Sequence, residues 1–251
     1  MTVMLAAAAA AAAVAAQDVA SSSEEDGTSG EVTASFANAT GNTENLTLIL
    51  TGKLRRAEGP VAHQLTGGAR YAESAVGAEA EREQTQEAVF AAYQFDADLE
   101  GEATFAYARA RYDFDAFSGF EHRVFVGGGL GRRVYDGDRL NWTVRGGPGL
   151  RWTQLATPTP AGGFDAEETE LSVFLGSAFA WDVNDEVGVQ HDAEMTYTEA
   201  STTLESVASL KSSLTERMTA TMAYTVRHET SPPEGREATD TLLSAGLTYG
   251  F

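Results

Sequence analysis

The sequence predicts an all-β fold, a transmembrane antiparallel β-barrel of about twelve strands with short turns at one end and longer loops at the other. Three observations carry that expectation: strict two-residue alternation up to the C-terminus, connections that alternate in length, and aromatic residues at the ends of the apolar rows. The closing stretch, Ala238 to Phe251, shows the alternation most plainly. Leu243, Ala245, Leu247, Tyr249 and Phe251 share one face of an extended strand, and Ser244, Gly246, Thr248 and Gly250 share the other. A last strand of this kind meets lipid on one side and a wet lumen on the other. Barrel closure then leaves no unpaired edge in the hydrocarbon.

Twelve segments from Glu31 onward carry the alternation. Val32, Ala34 and Phe36 mark the first, and Leu46, Leu48, Leu50 and Leu54 mark the second. The third sets Leu65, Ala69 and Tyr71 against Gln64, Thr66, Gly68 and Arg70, and the fourth carries Val89, Ala91, Tyr93 and Phe95. Around Ala103 to Tyr112 the register is open, because Phe105 and Tyr107 fall in phase with Arg109 and Arg111. The sixth runs through Val124, Val126, Leu130 and Val134, with Arg123, Arg133 and several glycines opposite. The seventh is the cleanest: Leu140, Trp142, Val144, Leu150 and Trp152 against Asn141, Thr143, Arg145, Gly147, Gly149, Arg151 and Thr153. Leu171 to Trp181 and Val187 to Tyr197 follow, the latter with Asp192 and Glu194 on its polar face. Leu204 to Leu214 and Ala220 to Val226 precede the closing strand.

A soluble sandwich also pairs an apolar with a polar face, so alternation alone does not fix the environment. Brief turns at Asp96 to Asp98, Asp136 to Arg139, Val183 to Glu186 and Thr215 to Arg217 alternate with longer connections. Those lie around Gly77 to Gln84, Asp113 to Gly119, Ala156 to Glu168 and Glu229 to Glu237. This asymmetry, with an even strand count, puts both termini at the periplasmic end of an outer-membrane barrel. Phe95, Trp142, Trp181, Tyr249 and Phe251 close the apolar rows at the turn end, and Tyr71, Trp152 and Tyr197 close them at the loop end. Trp142 and Trp152 share a face, and at ~3.3 Å per residue and a ~40° tilt their separation projects to roughly 25 Å, the height of an apolar membrane band.

Several motifs add a family resemblance: Asn38 to Thr43, Phe117 to Arg123, Gly129 to Arg133, Asp136 to Leu140, Gly147 to Arg151, and Pro232 to Gly235 leading to Thr239 to Thr241. In these the chain from Gly30 to Phe251 resembles the salt-induced outer membrane protein family, bacterial barrels without an assigned function. The resemblance implies an outer-membrane barrel, and it supplies no catalytic residue.

Composition narrows the partners. With 37 acidic and 17 basic residues and a net charge of −20, the chain lacks the basic face a nucleic-acid binder needs. It has no Cys, so neither a disulfide framework nor a thiolate site is available. Val3 to Ala16 is an Ala-rich apolar run, too short to span a bilayer as a helix, with small residues before Gln17. We read residues 1–16 as a signal peptide, 17–29 as a disordered periplasmic lead and 30–251 as the barrel. The expected partners are outer-membrane lipid and, through the C-terminal strand, the barrel-assembly machinery.

Candidate chemistry is sparse. Gly127 to Gly131 has no following helical pattern, so no dinucleotide loop is expected. Asp136-Gly137-Asp138 lacks the later ligands of a calcium loop, and none of His63, His122, His191 and His228 has metal-ligand spacing. No cofactor is expected. Ser118 and His122, with Asp115 and Glu121 nearby, form the one rim constellation that nucleophilic catalysis could use, but the spacing is not specific and the loop's own polar bonding is the favoured account. The polar rows are richer: Arg70, Arg123, Arg133, Arg145, Arg151, Lys211 and Arg227, with Glu170, Asp192, Glu194 and Glu205, are expected to line the lumen. Such charge either ties a closed plug together or lines a selective path. Clustering of Arg on the sixth and seventh segments and of carboxylates on the eighth and ninth predicts two facing walls of opposite sign.

Overall fold

The computed structural model describes residues 27–39, 43–76, 81–99, 103–118, 120–155, 167–232 and 237–251. The expected signal peptide and most of the expected lead, residues 1–26, lie outside the described residues.

Twelve antiparallel strands close into one barrel, each paired with its sequence neighbours and the first with the last. They are β1 (Gly27–Ala39), β2 (Thr43–Glu58), β3 (Val61–Val76), β4 (Glu83–Asp98), β5 (Thr104–Asp115) and β6 (Phe120–Asp136). The second half comprises β7 (Leu140–Leu155), β8 (Glu167–Asp182), β9 (Val187–Thr198), β10 (Thr202–Ser213), β11 (Met218–Glu229) and β12 (Thr239–Gly250). The seam joins Glu31–Phe36 of β1 to Ala245–Gly250 of β12, and Gly30 and Phe251 exchange two backbone bonds of 2.9 Å below it. Closure therefore reaches the terminal residue.

Polarity is inverted relative to a soluble fold. Leu48 and Leu50 on β2, Val126 and Leu130 on β6, Leu171, Val173 and Leu175 on β8, and Leu243 and Leu247 on β12 all face outward, Leu171 with 81% of its surface exposed. Arg70, Arg109, Arg145, Arg151, Asp192 and Glu205 are buried inside. A sandwich would bury the aliphatic rows against each other, so this arrangement excludes the sandwich reading and gives the architecture of a transmembrane barrel.

Three details depart from the sequence expectation, and one register it left open is settled. β1 begins at Gly27, which pairs with Ala57, so the strand reaches three residues into the expected lead. Asp96 to Asp98 is the end of β4 rather than a turn, because its partners on β5, Phe105 to Tyr107, keep the ladder going. β5 likewise continues to Asp115, shortening the connection expected from Asp113. Its open register resolves with Phe105, Tyr107 and Arg109 buried inside, while Tyr112 faces out.

Glycines on β6 and β7 make room for that inward aromatic surface. A Cβ at Gly131 would stand 2.1 Å from the Phe105 ring, and Cβ atoms at Gly127 and Gly149 would both stand 2.6 Å from the Phe125 ring. At Gly129 the obstacle is backbone, the Gly146 carbonyl at 2.2 Å. We expect Gly129→Val to cost ~1–3 kcal/mol in urea unfolding of the refolded barrel, since backbone cannot step aside. Gly52→Ala, whose Cβ would meet nothing closer than 3.8 Å, is the control and should lose no stability; equal losses would contradict the packing account.

Candidate functional site

The inward rows converge on a buried polar cluster in the middle and loop-end half of the lumen. Glu194 on β9 is its hub. Arg109 on β5, with three strands between them, reaches Glu194 at 2.9 Å and donates to Gln94 at 3.3 Å. Arg145 on β7 donates to Glu194 at 3.2 Å, and Arg111 lies 3.7 Å from it. Arg111 also donates to both oxygens of Asp113 at 2.8–3.0 Å and lies 3.9 Å from Glu205 on β10, nearly opposite on the barrel. One carboxylate thus ties β5, β7 and β9 together across the interior.

Toward the loop end a second cluster forms. Arg151 on β7 donates to Glu170 at 3.0 Å and to Thr198 at 2.7 Å. Glu229 on β11 accepts from Ser201 at 2.5 Å and Thr203 at 2.9 Å, and Arg123 on β6 approaches it to 3.7 Å. Arg70 donates to Gln86 at 3.3 Å. Nearer the turn end, Arg133 holds Asp98 at 2.8 Å and Lys211 approaches Glu31 at 3.7 Å. Arg227 lines the cavities between these groups, and Asp192 is buried among the inward residues of β9.

Aromatic rings complete the filling. Phe105, Tyr107, Phe125 and Phe174 form a buried cluster, with Phe125 and Phe174 ring centres 5.6 Å apart. Arg109 sits 5.3 Å and Arg145 5.8 Å from the centre of the Phe174 ring. Guanidinium planes over aromatic faces gain cation–π attraction in a desolvated setting, which steadies the charges between their ion-pair contacts. Small voids remain: about 40 Å³ near Arg70, Asp115 and Ser118, about 60 Å³ between Arg111, Arg123 and Arg151, and about 60 Å³ beside Thr33, Thr51 and Thr221. Each holds a few waters at most.

The inward residues named from sequence therefore meet, but not as two opposed walls. Arg145 pairs with Glu194 two strands along and Arg151 with Glu170 on the next strand, so the charges neutralise along the wall. The sequence reading missed Arg109, Arg111 and Asp113, all on β5 where the phase was open. The rim constellation does not assemble. The Ser118 hydroxyl donates to the Phe120 carbonyl at 3.0 Å, while His122 faces outward with Nδ1 2.9 Å from the Tyr112 hydroxyl. Asp115 accepts from the Phe117 backbone N–H at 2.9 Å, an ordinary Asx turn.

Of the expected belt, Trp142, Trp181, Tyr197, Tyr249 and Phe251 are exposed on the outer surface, and Trp152 and Phe95 are half-buried there. Trp142 donates to Ser177 at 3.0 Å on the same outward face, and Tyr249 and Phe251 stack with ring centres 6.4 Å apart.

An apolar exterior around a charged, filled interior defines the class as a transmembrane β-barrel. The chain belongs to the family described as protein of unknown function, DUF481, which matches residues 32–251. Its fold is similar to the COG4313 outer membrane channel from Pseudomonas putida F1, with TM-score 0.55 at 9% identity over 94% of this chain and 100% of that one. The translocator domain of the autotransporter NalP from Neisseria meningitidis gives 0.54 at 12% identity over 91% and 89%, and the NanC porin 0.51 at 10% over 88% and 98%. At these identities the likeness is one of fold. No curated protein matches the chain in sequence.

The hub makes a direct prediction. Glu194→Ala leaves Arg109 and Arg145 without their shared carboxylate, and should cost ~3–5 kcal/mol in urea unfolding. Arg139→Ala removes a 2.8 Å pair to Asp185 that is largely exposed, and should leave the unfolding midpoint unchanged. Equal effects would show that the interior pairs are solvated.

Proposed function

We propose that the chain is a bacterial outer-membrane barrel whose ion-paired lumen is a narrow, passive path for small solutes, closed to larger ones in the conformation described. The observation that carries this reading is the Glu194 cluster, where Arg109 and Arg111 reach across from β5 and Arg145 from two strands along to one carboxylate. A barrel of about eight strands is filled by side chains, and one of sixteen or more leaves a wide channel. Twelve strands enclose more space than eight, and here that space is occupied by paired charge and aromatic rings.

Placement in the outer membrane rests on the outward aliphatic rows between aromatic ends, and on the apolar run at residues 1–16 read as a signal peptide. On this reading β12 is the strand that the assembly machinery engages, and the turn end faces the periplasm. A connection to salt or osmotic conditions belongs to the same proposal. Abundance of the protein in outer-membrane fractions should then rise with external NaCl, and constant abundance would remove that part.

Planar-bilayer recording tests the path itself. The wild-type barrel is expected to give small unitary currents, and Glu194→Gln, which keeps the shape but removes the charge that gathers three guanidinium groups, should raise them several-fold. Large steady wild-type currents would contradict the closed lumen. Silence from both proteins at every voltage would remove the solute path and leave a structural barrel.

A further inference from the structure

The two loop-end voids share Asp113, Arg123 and Arg227 in their walls, so they make up one stretch of the interior between the rim and the hub. Its upper part is lined by Arg70, Arg123 and Arg227 against Asp113 and Asp115. Its lower part, of about 60 Å³, is lined by five guanidinium groups, Arg109, Arg111, Arg123, Arg151 and Arg227, against the carboxylates of Asp113, Glu194 and Glu205. Lining arginines outnumber lining carboxylates in both, but Glu170 and Glu229 just outside the lower void hold Arg151 and Arg123, so what is in surplus there is N–H donors rather than net charge.

Donor capacity at the lower void exceeds what the protein uses. Arg123 Nε and Nη2, Arg151 Nε and Arg111 Nη1 are buried nitrogens with no hydrogen-bond acceptor, against one unmatched oxygen among the lining residues, Glu205 Oε1. Arg123 has a carboxylate 3.7 Å away at Glu229 and the Phe120 ring 4.2 Å from its guanidinium carbon, neither of which accepts a hydrogen bond from those two atoms. Arg111 Nη1 lies 3.7 Å from Glu194, beyond hydrogen-bond length. Buried guanidinium N–H groups left without acceptors are costly, and an acceptor that carries charge satisfies several at once.

We propose that this lower void is a binding site for a small inorganic anion of halide size, held by Arg111, Arg123 and Arg151 between β5, β6 and β7. The volume suits one monatomic anion with a water or two. The Phe125 and Phe174 rings close one wall, so the ion exchanges its hydration shell for guanidinium donors in a partly dry setting. The proposal deepens the channel reading by naming small anions as the solute class. It concerns equilibrium occupancy, however, and stands or falls apart from any current.

The test uses the refolded mature barrel crystallised in bromide, with anomalous diffraction locating the ion. A bromide peak within hydrogen-bonding reach of Arg123 Nε and Arg111 Nη1 is the expected result. In solution, the same protein titrated with bromide at constant ionic strength, gluconate making up the difference, should show saturable broadening of the bromide NMR line. Arg123→Gln should weaken that binding about tenfold, the loss of one charge-assisted bond. Arg133→Gln, near the turn end and outside the void, should bind as the wild type does. Water alone in the void, broadening that does not saturate, or equal binding by Arg123→Gln would each overturn the site. If Arg123→Gln does not refold, the wild-type peak and the Arg133→Gln comparison still decide. A silent bilayer with a bound bromide would sink the conduction reading and leave the site intact.

Discussion

Backbone hydrogen bonding in an oil-like surrounding is the constraint from which this structure follows. A strand offers donors and acceptors along both edges, and in hydrocarbon none can be left unmatched. Closing β1 on β12 removes the last edge, down to the reciprocal Gly30 and Phe251 bonds. Once the ring is closed, a two-residue period forces every second side chain outward and every other one inward. The outward set can satisfy its surroundings only by being aliphatic with aromatic ends.

The inward set inherits the opposite problem. Polar side chains in a confined space lose water, and guanidinium and carboxylate groups tolerate that only when paired. The chain meets the demand with a few multivalent residues. Glu194 serves three arginines, Glu229 serves Ser201, Thr203 and Arg123, and Arg111 spans Asp113, Glu194 and Glu205. Glycines on β6 and β7 let Phe105 and Phe125 lie against the wall, so aromatic faces fill what charge does not. The marked acidity of the whole chain has little part in this, because the interior pairs its charges locally.

Much of the architecture was legible because the period is strict. β7 shows this best: Trp142 and Trp152 face out and Arg145 and Arg151 face in, as their spacing requires. β5 was not legible, since Phe105 and Tyr107 share a phase with Arg109 and Arg111, and apolar residues inside a wet lumen break the rule that sorts faces. Recognising that Arg109, Arg111, Asp113 and Asp115 continue one row would have placed them inside. Partnerships were harder still. Whether Arg145 meets Glu194 depends on barrel stagger and on which strands curve together, and no spacing along the chain encodes that distance. The direction of His122 was hidden for a related reason: four residues from Ser118 in sequence, it lies past the start of β6, where alternation turns it outward to Tyr112.

Inverted polarity is the claim on which all else rests, and the three tryptophans report on it directly. In vesicles carrying lipids brominated at defined depths, fluorescence from Trp142, Trp152 and Trp181 should be quenched most strongly by bromines near the headgroups, and weakly by aqueous acrylamide. Strong acrylamide quenching with no response to brominated lipid would place these rings in water and contradict the account.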